Sequence, residues 1–473
     1  MAKVDTVTTI RAFDELRPVW DELLSESDFN TIFQTFEWQR AWWENFGEDH
    51  NLCILVVKSD GKAVGIAPLM QSTYSRWGRK GKTIRFIGSP SADYSDFIGG
   101  NKRQIVGEIL RYFHEHRYDW TRIEFSQVSE KSATLPQIRD ALESSVLRYR
   151  ILPVETCMSY VFEGDDDARK DFMIKRNKTL RNYINFFTRT NGLTLELVRN
   201  GDEIASVLPG LFHSHVRRWE GSLTESKFRF ERHRRFYHAL AATLAPLDRL
   251  DLLVLKHGGE PLGYLLAFNY YSRIHLYTIS NEPYYQRKSP GIILLHLLIE
   301  RYVRDGFSEI DFARGVGTHK YRFVNSSSEN FDIILFSGNF PYWSAQIYGK
   351  VRSASLFRKL IDTGAVRKFR TFLTRYRSSS RITGTPVGAI RWIARLLVNF
   401  GTTFLYEYRA ESPAQPQPRI GDTVEKLTEE NIESIAAFYG FIIDSEMHNI
   451  VRRRFAADMT CIALRRGTGM IGM

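Results

Sequence analysis

The chain has 473 residues, 43% hydrophobic, 13% aromatic and 25% charged, a balance that buries a core and excludes a peptide or a mainly disordered chain. The net charge of +11 is concentrated: residues 346–410 hold 13 Lys/Arg against 2 Asp/Glu, so the rest of the chain is neutral. Cys53, Cys157 and Cys461 are too few and too dispersed for a disulfide framework or a Cys-rich metal site.

Residues 1–10 lack the basic, apolar and small-residue succession of a signal peptide, so a cytoplasmic protein is expected. Helices are expected through Trp20 and over 38–46, then strands over 52–57, 63–70 and 84–88. A helix near 105–116, a strand at 122–127 and a helix near 135–147 follow. Next come a basic helix from about 167 to 190, a strand at 193–199 and helices around 204–219 and 230–243. Strands at 252–256, 261–270 and 274–280, a helix at 291–304 and strands at 309–312 and 332–337 complete the pattern. This is α+β order around mostly antiparallel sheets, and it disfavours a Rossmann domain.

After Tyr342 the chain becomes a basic, helix-prone arm; 412–418 is a Pro-rich linker, and a small segment begins near Thr423. The apolar stretch 387–406 is broken by Arg391, Arg395 and Asn399, which argues against a membrane span. An internal repeat links two strand-turn-strand units, with Lys58 and Lys256, Gly61 and Gly259, and Gly65 and Gly263 each 198 residues apart. A looser third copy places Arg465 and Gly472 407 residues beyond Lys58 and Gly65. Duplication is favoured over chance recurrence of a common hairpin pattern.

Three segments carry candidate chemistry. Tyr285-Gln-Arg-Lys-Ser-Pro-Gly291 leads into an apolar helix, where unpartnered amides and the helix dipole attract anions. Ser289 and Gly291 let a phosphate approach, and Arg287 and Lys288 add charge; an ordinary helix start with Pro290 in its first turn explains these residues equally well. Asp311-Phe-Ala-Arg-Gly-Val-Gly-Thr-His-Lys-Tyr-Arg-Phe323 follows a strand and gathers Asp311, Arg314, His319, Lys320 and Tyr321 about two glycines. Tyr321 can protonate a leaving thiolate, and Asp311 or His319 can accept a proton; a solvated Lys320 and a buried Tyr321 ring are the structural alternative. In the third, His215, Arg218 and Trp219 share a helical face and either line a substrate cleft or simply pack. Asp93 and Asp96 pair two carboxylates that suit a cationic substrate or cap a turn. No zinc motif, Walker loop, nucleophile elbow or GxGxxG is present, and no metal is expected.

Together with Phe33-Gln-Thr-Phe-Glu-Trp-Gln-Arg-Ala-Trp-Trp43 and Gly65-Ile-Ala-Pro-Leu69, these segments resemble the GNAT acyltransferase superfamily over roughly 10–340. The resemblance is to the tandem-domain CelD-like and BioF-like acetyltransferases related to FemAB proteins. It implies a GNAT-like domain over 1–160 and an acyl-CoA-binding one over 161–340. The basic arm (341–410), the linker (411–422) and a partial GNAT-like segment (423–473) then follow. It also implies that Gln286, Arg287, Lys288, Ser289, Pro290 and Gly291 hold the CoA pyrophosphate, with Ser289 in place of the first glycine of the family pattern. His215, Trp219, Asp93, Asp96, Arg314 and Lys320 would then bind substrate, with Tyr321, Asp311 and His319 as the catalytic candidates. The implied function is N-acylation, chiefly N-acetylation, of an amino sugar or related small molecule in envelope or exopolysaccharide synthesis, with acetyl-CoA or another acyl-CoA as co-substrate. The rivals are a FemAB-type transferase that holds aminoacyl-tRNA through the basic arm, and a non-enzymatic scaffold whose residues 341–410 meet anionic lipid at the inner membrane face.

Overall fold

The structure, a computed structural model, describes residues 2–76, 79–162, 178–220, 225–315, 323–338, 422–426, 462–466 and 469–472. The N-terminal half runs β1 (Lys3–Val7), α1 (Ile10–Glu15), α2 (Arg17–Ser25), α3 (Phe36–Phe46), β2 (Asn51–Leu52), β3 (Ile54–Ser59) and β4 (Lys62–Ala67). It continues with β5 (Leu69–Arg76), β6 (Arg79–Phe86), α4 (Lys102–Glu115), β7 (Arg122–Ser129), α5 (Thr134–Glu143) and β8 (Arg148–Val161). The C-terminal half runs α6 (Lys178–Thr190), β9 (Leu193–Val198), α7 (Gly201–Arg218), α8 (Glu231–Leu244), β10 (Leu250–His257) and β11 (Glu260–Tyr270). Then come β12 (Arg273–Asn281), α9 (Pro290–Arg304), β13 (Glu309–Arg314) and β14 (Ser326–Phe336). A separate unit holds β15 (Asp422–Lys426), β16 (Ile462–Arg466) and β17 (Gly469–Gly472). The basic arm at 341–410 and the linker lie outside the described residues.

Short polar residues start the helices that cover the sheet. Thr35 Oγ1 accepts the Trp38 amide (3.4 Å) before α3, and Asn101 Oδ1 accepts the Gln104 amide (3.1 Å) before α4. Asn200 Oδ1 accepts the amides of Asp202 and Glu203 (2.9 and 3.2 Å) before α7. The expected α+β class holds: an eleven-stranded, mostly antiparallel sheet has the order β2-β5-β6-β7-β14-β8-β13-β12-β11-β10-β9. β14 extends well upstream of the expected 332–337 and lies between β7 and β8, so the last strand of the C-terminal half is inserted among N-terminal strands, and β8 pairs with β13 to continue the sheet into the C-terminal half. They also share a core. Phe33 packs edge-on to Trp38 (5.3 Å) and Phe268 (5.9 Å), and Trp38 to Phe236 (5.6 Å). Across the same seam Arg249 donates to buried Glu37 (3.3 Å), which also accepts from Arg17 of its own half (2.8 Å), and Tyr270 Oη donates to Asn30 Oδ1 (2.8 Å). Among the described residues no helix is long and apolar enough to cross a membrane.

The repeat seen in the sequence is a repeat of backbone geometry. Val57 pairs with Gly65 and Lys58 with Ala63, with a bulge between Val57 and Lys58. Leu255 pairs with Gly263 and Lys256 with Pro261, with the bulge again at Leu255/Lys256. In the third copy Leu464 pairs with Gly472 and Arg465 with Met470, bulged at Leu464/Arg465. Each hairpin has a preceding strand on the same side, giving β1-β3-β4, β9-β10-β11 and β15-β16-β17. The first two turns share positive φ at both central residues, Asp60 (49°) with Gly61 (82°) and Gly258 (61°) with Gly259 (85°), the type I′ geometry that matches strand twist. Gly61→Ala and Gly259→Ala should therefore each cost about 1–2 kcal/mol in denaturant unfolding, since a side chain disfavours this region. Neutral substitutions at both would contradict the turn assignment.

Candidate active site

β12 and β13 run parallel and pair only from Arg273/Glu309 to His275/Asp311, although both strands continue further. Just past this point β12 has an extra residue: Leu276 faces Ala267 and Thr278 faces Leu266, so Tyr277 is bulged. β13 is irregular here too, with Ala313 at φ 61°. The result is a wedge between two strands, with backbone near Tyr277 freed from regular pairing.

A buried ionic network closes the point of the wedge. His275 Nε2 donates to Asp93 Oδ2 (2.8 Å) and Nδ1 donates to Asp311 Oδ2 (3.1 Å). Arg314 Nε donates to Asp93 Oδ1 (2.5 Å) and Nη2 to the Pro90 carbonyl (2.9 Å). Asn330 Nδ2 fixes the loop by donating to the Asp93 carbonyl (2.8 Å), and the Ala313 amide donates to Asp311 Oδ1 (2.8 Å). Burial opposes charge on His275, but Asp311 and Asp93 outweigh it and raise the imidazole to about 9. Burial also opposes ionisation of both carboxylates. Arg314 and His275 overcome it at Asp93, and His275 with the Ala313 amide at Asp311, so both are held below the usual range. Asp311 is thus an ionised, fully engaged carboxylate that orients His275, an arrangement poorly suited to the proton-accepting role expected of it.

The sequence-paired carboxylates part company. Asp96 is buried inside the N-terminal half, where Oδ1 accepts the Phe97 amide (2.7 Å), Oδ2 accepts Ser132 Oγ (2.5 Å) and Lys102 Nζ lies 3.4 Å away.

On the α7–α8 side, Lys227 comes from the turn between the helices and reaches β12. Its Nζ donates to Tyr237 Oη (2.6 Å) and Thr278 Oγ1 (3.2 Å), and those two oxygens are 2.5 Å apart. The ammonium lies 5.0 Å from the ring centres of Tyr237 and Tyr277. Burial lowers Lys227 to about 8; Asp93 opposes the shift and Arg314 adds to it. His215 Nδ1 pairs with Ser226 Oγ (2.8 Å), and Trp219 stacks on the His215 ring at the rim. Burial, then Lys227 and Arg218, lower His215 to about 3, so it stays neutral near pH 7.

The other end of β12 leads to the expected anion loop. Residues Pro283–Lys288 form a 3₁₀ turn, Ser289 takes the left-handed conformation (φ 50°), and Pro290 opens α9. The amides of Ile292 and Ile293 donate to the Ser289 carbonyl (3.0 and 3.2 Å). Arg287 is exposed, and Lys288 Nζ lies 4.1 Å from the Phe186 ring centre. A Cβ at Gly291 would come within 3.3 Å of Asn281 Oδ1, so a small residue suits this approach to β12. Gln286 is described in its backbone alone, and His319, Lys320 and Tyr321 lie outside the described residues. Among the described residues no His, Cys, Asp or Glu group is arranged to hold a metal ion.

Residues 175–321 match the family model of the acetyltransferase (GNAT) domain. This segment is a GNAT acyltransferase domain. Among solved structures, the chain shares its fold with FemX, at 11% identity and a TM-score of 0.50, covering 72% of this chain and 99% of that one. It is also similar to the C-terminal domain of a putative lysylphosphatidylglycerol synthetase from Agrobacterium fabrum, at 12% identity and a TM-score of 0.45 over 72% and 97% of the chains. A tandem GNAT protein from the clavulanic acid biosynthesis pathway aligns at 13% identity and a TM-score of 0.40 over 71% and 99%. No curated protein matches the sequence. The matched segment contains His215, the 286–291 loop, Asp311 and Arg314, whereas Asp93 comes from the half outside it.

Sequence reasoning missed His275, Lys227, Tyr237 and Asn330. His275 left a usable signal, because it stands in the strand Ile274-His-Leu-Tyr-Thr278, where a polar residue at an inward position needs partners. Lys227 left none, since one lysine in a polar turn reads as solvated.

Proposed function

We propose that this chain transfers an acyl group, in the simplest case acetyl, from acyl-CoA to the amine of an amino sugar or related envelope or exopolysaccharide precursor. The observation that carries this reading is the wedge between β12 and β13, bulged at Tyr277 and followed by the left-handed Ser289 at the start of α9. The donor diphosphate would lie against the amides at 286–291, with the thioester directed along β12 toward the bulge. The acceptor amine would enter from the α7–α8 side, attack the thioester carbon and form an oxyanion that freed backbone N–H groups stabilise. Proximity and these dipoles suffice for such chemistry without a nucleophilic side chain. The 1–160 and 161–340 halves would act together, the second holding the donor and the first contributing Asp93.

Calorimetry with acetyl-CoA tests the donor site. Gly291→Glu should weaken binding at least about tenfold, or 1.4 kcal/mol, because a carboxylate would face the diphosphate. Gly291→Ala separates bulk from charge and should lose less. Equal affinity of the parent and Gly291→Glu would remove the site.

A second reading, transfer from aminoacyl-tRNA, draws on the charge of 346–410, 13 Lys/Arg against 2 Asp/Glu. It predicts salt-sensitive tRNA binding that is lost with that segment, alongside no acetyl-CoA binding by the intact chain.

A further inference from the structure

We propose that Lys227 is the proton-accepting residue of the acyl transfer, with Tyr237 and Thr278 as the positioning residues that aim its Nζ at the bulge of β12. This inference rests on the acyl-transfer reading above and adds to it the group that moves the proton.

Geometry singles out Lys227. It projects from the turn between α7 and α8, the side opposite α9, and reaches Thr278, the residue directly after the bulged Tyr277. Its Nζ is therefore held at the part of β12 that has left the pairing with β13. Tyr237 Oη bonds both Nζ and Thr278 Oγ1, forming a closed triangle that fixes the amine in place. Among the described residues no carboxylate lies within ion-pair distance of Nζ, unlike the cations of the neighbouring network.

The charged groups beside the wedge are committed. Both nitrogens of His275 donate to carboxylates, so it has no lone pair to accept a proton. Asp93 and Asp311 are held ionised by their partners, and Arg314 stays charged. The groups acting on Lys227 are His215 from α7, Tyr237 and His233 from α8, Tyr277 from β12, Asp93 from the loop after β6 and Arg314 from β13. Both histidines are held neutral near pH 7, so Asp93 and Arg314 are the charges that act on Lys227, with opposite effects. Burial then leaves a substantial share of the lysine neutral at mildly alkaline pH.

The step balances. The amine nitrogen bonds to the thioester carbon as its proton passes to neutral Nζ. Collapse of the tetrahedral adduct breaks the C–S bond, and the proton passes from Nζ to the departing sulfur. Amide and CoA thiol leave, and neutral lysine is restored.

The test compares Lys227→Met and Lys227→Arg with the parent, using acetyl-CoA as donor and D-glucosamine as probe acceptor. Transfer is read by thiol release between pH 6 and 9.5, and acetyl-CoA binding by calorimetry. Unchanged acetyl-CoA binding in both variants shows that they fold and that the donor reading stands. Both should then lose about 100-fold or more in kcat, together with the limb of the pH profile that rises through about 8. If Lys227→Arg retains the rate, charge rather than proton transfer is the role, and the proposal falls. If glucosamine is not a substrate, trace acetic anhydride labelling of the parent across pH 6–11, read residue by residue by mass spectrometry, decides instead. Lys227 should label at a lower pH than the other lysines and be protected by acetyl-CoA. Labelling in step with the other lysines, or without protection, overturns the proposal.

Discussion

A His275→Leu variant should unfold with about 3–5 kcal/mol less free energy than the parent near pH 6, because it strands two buried carboxylates whose shared cation is gone. Asp93 keeps Arg314 and Asp311 keeps the Ala313 amide, so the loss falls short of two isolated charges. The effect carries a pH signature. His275 rises from 6.5 unfolded to about 9 folded, so its contribution is complete below about 6.5 and is lost as pH climbs through 9. Asp93 and Asp311 shift the other way, so theirs is present above the ordinary carboxyl range and is lost as pH falls below it. Urea titrations of both proteins should therefore differ most near pH 6 and converge by pH 10. A constant difference across that range would show that His275 acts through its shape alone.

Phe33→Ala should cost a similar amount, about 3–5 kcal/mol, through the cavity left by a fully buried ring. The ring meets Trp38 and Tyr94 from its own half, and Phe268, His275 (4.7 Å between ring centres) and Tyr277 from the other. The shared sheet predicts that the loss spreads through both halves. Unfolding followed by tryptophan fluorescence and by far-UV circular dichroism should shift together. Separation into two transitions, with the C-terminal half unmoved, would contradict a common core. Because the ring also backs His275, the wedge should loosen, and any acyl-CoA affinity should fall with stability.

Most of the local structure was legible because it rests on local chemistry. A Gly-containing turn repeated at a fixed offset and short apolar strand runs announce themselves within a few residues. Even the third hairpin was visible, since the bulge and register depend on the same short pattern. Asp93, Asp311, Arg314 and His215 were all picked out by residue type and position. Their roles were not legible: Asp311 reads as a base until His275 is seen across from it, and Asp96 reads as the twin of Asp93 until Ser132 and Lys102 claim it.

The sequence by itself determined the α+β class, the repeated hairpin, the location of the charge in one segment and the match to a GNAT domain. Tertiary structure alone decided that β14 enters the sheet between β7 and β8, that Asp93 crosses 182 residues of chain to meet His275, and that a turn lysine ends among aromatic rings. The division has a physical reason. Helix caps and turns depend on neighbours in the chain, whereas the protonation and partners of a buried ionic group depend on whichever distant segments exclude water from it.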